Sequence, residues 1–247
     1  MLRIIKRAVK KILGIPRHSH GSEEYDFNKS NPLGGNGERV DIQLQGQTDI
    51  DFEKLDMYQK SHFKRYQFAK TIVQPGEVCG DFACGTGYGS VMIAEKAKHV
   101  TGADLDTVVV NAIKERYKEK QNVTFLNENL LHLTFANHFD TIVSFETIEH
   151  FTEENIKKLL KIYNVALKEN GKLIFSTPYM QERSEDAVKL GFHLTFYIDE
   201  QKINSWLNEA GFKATIFKYQ NYSTHHIHDK LDKKDFIICV ATKIKNA

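Results

Sequence analysis

Residues 77–90 read EVCGDFACGTGYGS, and the parsing of the whole chain turns on this stretch. A short apolar run over 77–83 carries Asp81 at its end. Gly85, Gly87 and Gly89 follow, and a helical pattern starts over 87–97. Glycine lets the backbone turn sharply and leaves room for a ligand to lie against it. The turn by itself does not name that ligand. A nicotinamide-binding GxGxxG is absent, because Ser90 stands three places beyond Gly87, and no GK[ST] follows, so a phosphate-cradling P-loop is excluded.

Outward from this turn, short apolar runs at 98–104, 122–126, 139–145, 171–177, 212–219 and 235–242 alternate with helical patterns at 51–72, 106–120, 152–169 and 199–210. Strand–helix alternation of this kind predicts an α/β domain. Its sheet is seven-stranded, Rossmann-like and mostly parallel, with helices on both faces. The last two runs have no helix between them and are expected to form an antiparallel hairpin at one edge. Ligands of such sheets bind at the carboxyl ends of strands where the strand order reverses, so chemistry belongs in the loops after 83, 104, 126, 145 and 177.

The second run, HVTGADLD, carries Asp104 nineteen residues after Gly85. A carboxylate there can accept both ribose hydroxyls of an adenosine ligand, while Asp106 reads as the N-cap of the next helix. Composition agrees with a globular protein: 247 residues, 41% hydrophobic, 27% charged. A net charge of +2 argues against general nucleic-acid binding. Three cysteines, Cys79, Cys84 and Cys239, form neither a disulfide framework nor a zinc-ligand spacing, and read as reduced thiols of a cytoplasmic protein.

Asp81-x-Ala83-x-Gly85-x-Gly87 together with Asp104 resembles the class I S-adenosylmethionine-dependent methyltransferases, with Ala83 where the family's first glycine often stands. The resemblance is close over 75–178 and general over 179–243. It implies S-adenosylmethionine as cofactor, with Asp81, Ala83, Gly85 and Gly87 placing its methionine part and Asp104 and Leu105 its ribose. Asn129 and Leu130 in NENLLHL would contact the adenine, with Glu128 as the alternative if the register moves by one, and Phe145 would line the site.

After the fourth apolar run stand Glu146, Glu149 and His150 in FETIEHF, and His193 follows later in FHLTFY. Three readings of these residues stay open. His150 or His193, with Glu149, is a general base for a hydroxyl or amine. Alternatively Glu146, Glu149, His150 and His193 hold a divalent cation, an ExxEH pattern similar to small-RNA 2′-O-methyltransferases and in part to ubiquinone-pathway O-methyltransferases. Mixed ligands of this kind favour Mn²⁺ over Mg²⁺, and a metal is not the expectation. In the third reading the residues only line or cap the pocket.

Residues 1–17, MLRIIKRAVKKILGIPR, hold six basic residues and no acidic one, with Leu2, Ile5, Val9 and Ile12 at helical spacing. This basic amphipathic segment suits peripheral contact with an acidic membrane face. With the polar, Gly-rich stretch that follows, it makes an extension over 1–47 ahead of a methyltransferase domain over 48–247. HFKRYQFAKTIV ahead of the glycine turn, and the 176–212 stretch, are similar to methyltransferases of bacterial surface-polysaccharide clusters. That likeness implies a sugar hydroxyl or terminal phosphate of a glycan, or its lipid-linked precursor, as acceptor. A small-molecule O- or N-methyltransferase, an RNA-end 2′-O-methyltransferase and a non-catalytic cofactor-binding subunit are the alternatives. His225, His226 and His228 are expected on a loop near the substrate.

Overall fold

A computed structural model describes residues 39–44, 50–185 and 193–244. The amphipathic segment 1–17 and most of the 1–47 extension lie outside the described residues. A single eight-stranded sheet carries the fold, in the order β3-β2-β1-β4-β5-β8-β6-β7. Its strands are β1 Val78–Phe82, β2 His99–Asp104, β3 Val123–Asn127, β4 Phe139–Phe145, β5 Leu167–Pro178, β6 Phe212–Gln220, β7 Ile227–His228 and β8 Phe236–Lys243. β1 to β5 pair in parallel, whereas β8 pairs antiparallel with both β5 and β6.

The sequence pattern predicts seven strands, and the eighth is β7. Its two residues pair with Tyr219 and Gln220 inside a polar, histidine-rich stretch that has no apolar run to announce it. The outer edge is therefore β7 rather than the β6–β8 hairpin.

Five α-helices lie among the described residues: α1 Met57–Ile72, α2 Tyr88–Ala94, α3 Thr107–Arg116, α4 Glu153–Ala166 and α5 Glu200–Glu209. α1 starts later than the periodicity suggests because Asp56 caps it. The Asp56 side chain accepts from Gln59 N–H while the Gln59 side chain accepts from Asp56 N–H, a reciprocal cap that sets the boundary. α3 begins at the Asp106 cap, as expected.

Alternation along the strands splits the core into two layers. On one face Leu173, Phe175, Ile237, Cys239 and Ala241 pack under α4 and α5, with Trp206 and Leu207 fully buried. On the other, Ile174, Ile238 and Val240 pack under α1 and α2 with Phe63, Tyr66 and Met92. A period of two in the strands thus puts helices on both faces. The order reverses between β1 and β4, so their carboxyl ends open the crevice for a ligand.

Candidate active site

The glycine turn after β1 is built on left-handed backbone: φ is +61° at Ala83, +51° at Gly85 and +74° at Gly87. Ala83 adopts a conformation that costs an L-residue roughly 1–2 kcal/mol, which is why glycine is frequent there. A Cβ on Gly85 would meet nothing closer than the Arg39 stem at 4.0 Å, whereas one on Gly87 would strike the Phe125 ring at 2.9 Å. Gly85 therefore presents the open face, and Gly87 caps α2 against the fold.

Beneath the turn, Asp81 is fully buried. One of its oxygens accepts from Tyr66 Oη at 3.0 Å, the other from Ser90 Oγ at 2.6 Å. Burial lifts its carboxyl to about 6, against the opposing pull of those two hydroxyls. With both oxygens engaged inside the fold, Asp81 ties α1 and α2 to the turn from below.

Asp104 ends β2 beside the open face. Its Oδ2 accepts from Gly85 N–H at 3.0 Å and its Oδ1 from Asp106 N–H at 3.0 Å. Leu105, next in the chain, is 69% exposed. The β3 loop is drawn to the same place, because Glu128 N–H donates to the Asp104 carbonyl and Asn127 Nδ2 to the carbonyls of Asp104 and Leu105. Asn129 is half-buried and accepts from Leu131 N–H, Glu128 is exposed, and Leu130 is buried in the core beside the crevice. Phe145, at the end of β4, is buried with its ring edge-on to Tyr66 at 5.0 Å.

Past Phe145 the chain turns through Glu146 at φ +48° into a short 3₁₀ turn, Ile148–His150. Glu146 accepts from Ser176 Oγ at 2.6 Å and pairs with Arg65 Nη1 at 2.6 Å. Arg65, buried on α1, also donates to Gln220 and Ser176 and lies over the Phe236 ring at 4.2 Å. Glu149 is buried, and its carboxylate accepts from Thr177 Oγ1 at 3.0 Å. Burial, and after it the nearby Glu146, push the Glu149 carboxyl well above its ordinary value.

The Glu149 carbonyl accepts from Leu194 and Thr195 N–H, and this clasp carries the insert after β5 back over the 3₁₀ turn. His193 thereby reaches His150, with ring centroids 5.1 Å apart. His193 Nδ1 lies 2.6 Å from Gln181 Oε1. Burial, and then a charge on His150, depress its pKa to about 4. Glu149, His150 and His193 bring ligand-capable atoms within 4.8 Å of one another, and no other such group is found among the described residues. Glu146 stands outside it, held by Arg65. His225 contacts Ser61 at 3.3 Å, and the His226 and His228 rings sit 6.3 Å apart, with His228 in strand β7 rather than on the expected loop.

Three contributors escape a reading of the sequence: Arg39, Gln181, and Tyr88, whose Oη lies 2.6 Å from His62 Nδ1. For Arg39 a faint signal exists, since Val40, Ile42 and Leu44 alternate like a strand against the core. For Gln181 there is none.

Comparison with known proteins agrees with this layout. Residues 80–171 match the methyltransferase domain family. Two Mycobacterium tuberculosis proteins, from strains CDC 1551 and H37Rv, each named "Probable S-adenosylmethionine-dependent methyltransferase", are 28% identical over 80% of this chain and 69% of their own. A ubiquinone biosynthesis O-methyltransferase of Coxiella burnetii is 30% identical over 43% of this chain and 45% of its own length. The N-methyltransferase NodS of Bradyrhizobium japonicum, solved with S-adenosyl-l-homocysteine, shares the fold at a TM-score of 0.59. It is 15% identical, over 78% of this chain and 91% of its own. A glycine turn open at Gly85, an acid at the end of β2 and the methyltransferase match around them lead to one conclusion: residues 80–171 carry a methyltransferase domain of the class I kind, with S-adenosylmethionine as its cofactor.

Proposed function

We propose that the acceptor is a hydroxyl group, in the first place one on a sugar of a bacterial surface glycan or its lipid-linked precursor. The enzyme would act in the cytoplasm beside the inner face of the membrane. The observation that carries a proton-accepting site is the convergence of Glu149, His150 and His193 after β4, and the choice of a hydroxyl follows from the likeness to polysaccharide-cluster methyltransferases. Bound there, S-adenosylmethionine supplies an electrophilic methyl group on a sulfonium. The chain's own work is to aim the hydroxyl and take its proton. Gln181 Oε1 only accepts, so His193 Nδ1 donates to it and Nε2 keeps its lone pair for the hydroxyl proton. Burial, and after it the neighbouring His150, keep the His193 ring neutral near pH 7. Since alignment provides much of the rate, a weak base is sufficient.

Part-exposed Glu146, held from below by buried Arg65, and exposed Tyr58, which meets Tyr222, offer the polar and aromatic groups that suit a sugar acceptor. The basic 1–17 segment favours a membrane-borne one, and among the described residues no helix is long and apolar enough to cross the bilayer. The purified protein, given methyl-labelled cofactor and host extract, should place label in the glycan or lipid fraction. Label confined to small molecules or RNA would overturn the glycan assignment.

A second reading is favoured by the same cluster and by the Coxiella relative: a small-molecule O-methyltransferase whose Glu149, His150 and His193 hold a divalent cation. One carboxylate and two imidazoles suit Mn²⁺ or Zn²⁺. Ligands about 2.1 Å from one ion lie at most about 4.2 Å apart, so the present 4.8 Å spread closes by small side-chain rotations. Calorimetric titration with Mn²⁺ and with Zn²⁺ tests it, and heat lost on His193→Ala would support it.

A further inference from the structure

Asp104 is the carboxylate to which the cofactor's ribose is assigned, and Arg39 already sits on it. Arg39 Nη2 lies 3.4 Å from Asp104 Oδ1, and Nη1 lies 3.3 Å from Asp106 Oδ2. The Arg39 stem passes over Gly85, where it is the nearest atom to the open face. Its side chain thus crosses the space between the glycine turn and the β2 carboxylate, with 22% of its surface exposed.

The backbone just after Arg39 is firmly tied. The Val40 carbonyl accepts from Thr86 Oγ1 at 3.0 Å and the Asp41 carbonyl from Gln59 Nε2 at 2.8 Å. Arg116 grips the Asp41 carboxylate with both terminal nitrogens, at 2.6 and 3.0 Å. Ile42 is buried with Phe63, Tyr66 and Tyr88. These ties fix the strap 40–42 across α1, α3 and the glycine turn, while a long, flexible side chain at its leading residue reaches the ribose acid.

We propose that Arg39 is a displaceable plug of the ribose subsite: it and the cofactor's ribose diol compete for Asp104, so every binding event must first expel the guanidinium. Expulsion costs the Asp104 contact and a side-chain rotation but no backbone movement, because the strap stays anchored and Asp106 remains as an alternative partner for the charge. The plug keeps Asp104 paired between turnovers and weakens product retention. It rests on the cofactor and not on the identity of the acceptor, so a wrong acceptor would leave it standing.

The test is calorimetric binding of S-adenosylhomocysteine, a zwitterion with no net charge, compared between wild type and Arg39→Ala so that any salt effect on its own groups cancels. The contact is part-buried but long at 3.4 Å, so it competes only weakly, and Arg39→Ala should bind about three- to tenfold more tightly than wild type. Wild-type affinity should rise with added salt relative to that of Arg39→Ala, because salt screens the competing pair. Arg39→Lys, which keeps the charge, should behave as wild type. Weaker binding by Arg39→Ala would overturn the proposal and make Arg39 a ligand of the cofactor. Equal affinity and an unchanged salt response would overturn it too, leaving Arg39 a strap residue only. Circular dichroism shows that the variants are folded.

Discussion

Gln181 Oε1 and His193 Nδ1 stand 2.6 Å apart, and this contact decides which imidazole nitrogen carries the proton. A carboxamide oxygen only accepts, so the ring donates through Nδ1 and keeps the Nε2 lone pair outward. Gln181→Ala should therefore lower kcat about 10- to 100-fold and leave the KM for the methyl donor unchanged. Steady-state kinetics with a found acceptor checks this. An unaltered kcat would mean that the ring is oriented by other contacts.

Asp81 makes a stability prediction with a definite sign. Its carboxyl titrates near 6 in the fold, against roughly 3.9 when unfolded, so the native state favours the neutral form. The associated stability is present below about pH 4 and is lost as pH rises through 6, amounting to about 2–4 kcal/mol. Asp81→Asn removes the titration. Urea unfolding at pH 4.5 and 7.5 should show wild type losing stability relative to the variant, and parallel changes in both would refute the assignment.

The Arg65–Glu146 pair predicts strong coupling. Arg65 is almost wholly buried, and its removal strips Glu146 of its cation at 2.6 Å. Arg65→Met should cost about 3–5 kcal/mol, and adding Glu146→Gln should recover a large part of that loss. A double-mutant cycle by chemical denaturation measures it, and simple additivity would count against the pair.

Two substitutions, one in the glycine turn and one in the first turn of α2, should go opposite ways. A Cβ on Gly89 would lie 2.0 Å from the Tyr66 ring, so Gly89→Ala should cost at least about 1–3 kcal/mol through forced displacement of that ring. Ala83→Gly releases the left-handed strain at φ +61° but widens the unfolded ensemble, so it should lie between neutral and about 1 kcal/mol stabilising. Thermal unfolding of both variants is sufficient. Equal losses would show that the turn is not strained at Ala83.

Much of this protein is legible in sequence because the governing interactions are local. The period of two in the strands, the Asp106 cap, and the spacing from Gly85 to Asp104 follow from backbone geometry and nearest-neighbour packing, and they suffice for the parallel sheet, the turn and a carboxylate suited to a ribose, while the cofactor itself is named by the family resemblance. β7 is not legible, since its two residues pair by being delivered to the edge of β6 rather than by any propensity of their own.

The acceptor side depends on tertiary structure. FETIEHF offers Glu146, Glu149 and His150 as equals, yet the fold separates them: Arg65, 81 residues earlier, claims Glu146, while the 194–195 clasp on the Glu149 carbonyl brings in His193 and Gln181. Arg39 is likewise one cation among 34 until the strap lays it on Asp104. Residue types and spacing along the chain determine which chemistry is available. Which groups meet, and which stay neutral, is settled only by contacts between distant segments, because burial and pairing are properties of the packed structure and not of the chain.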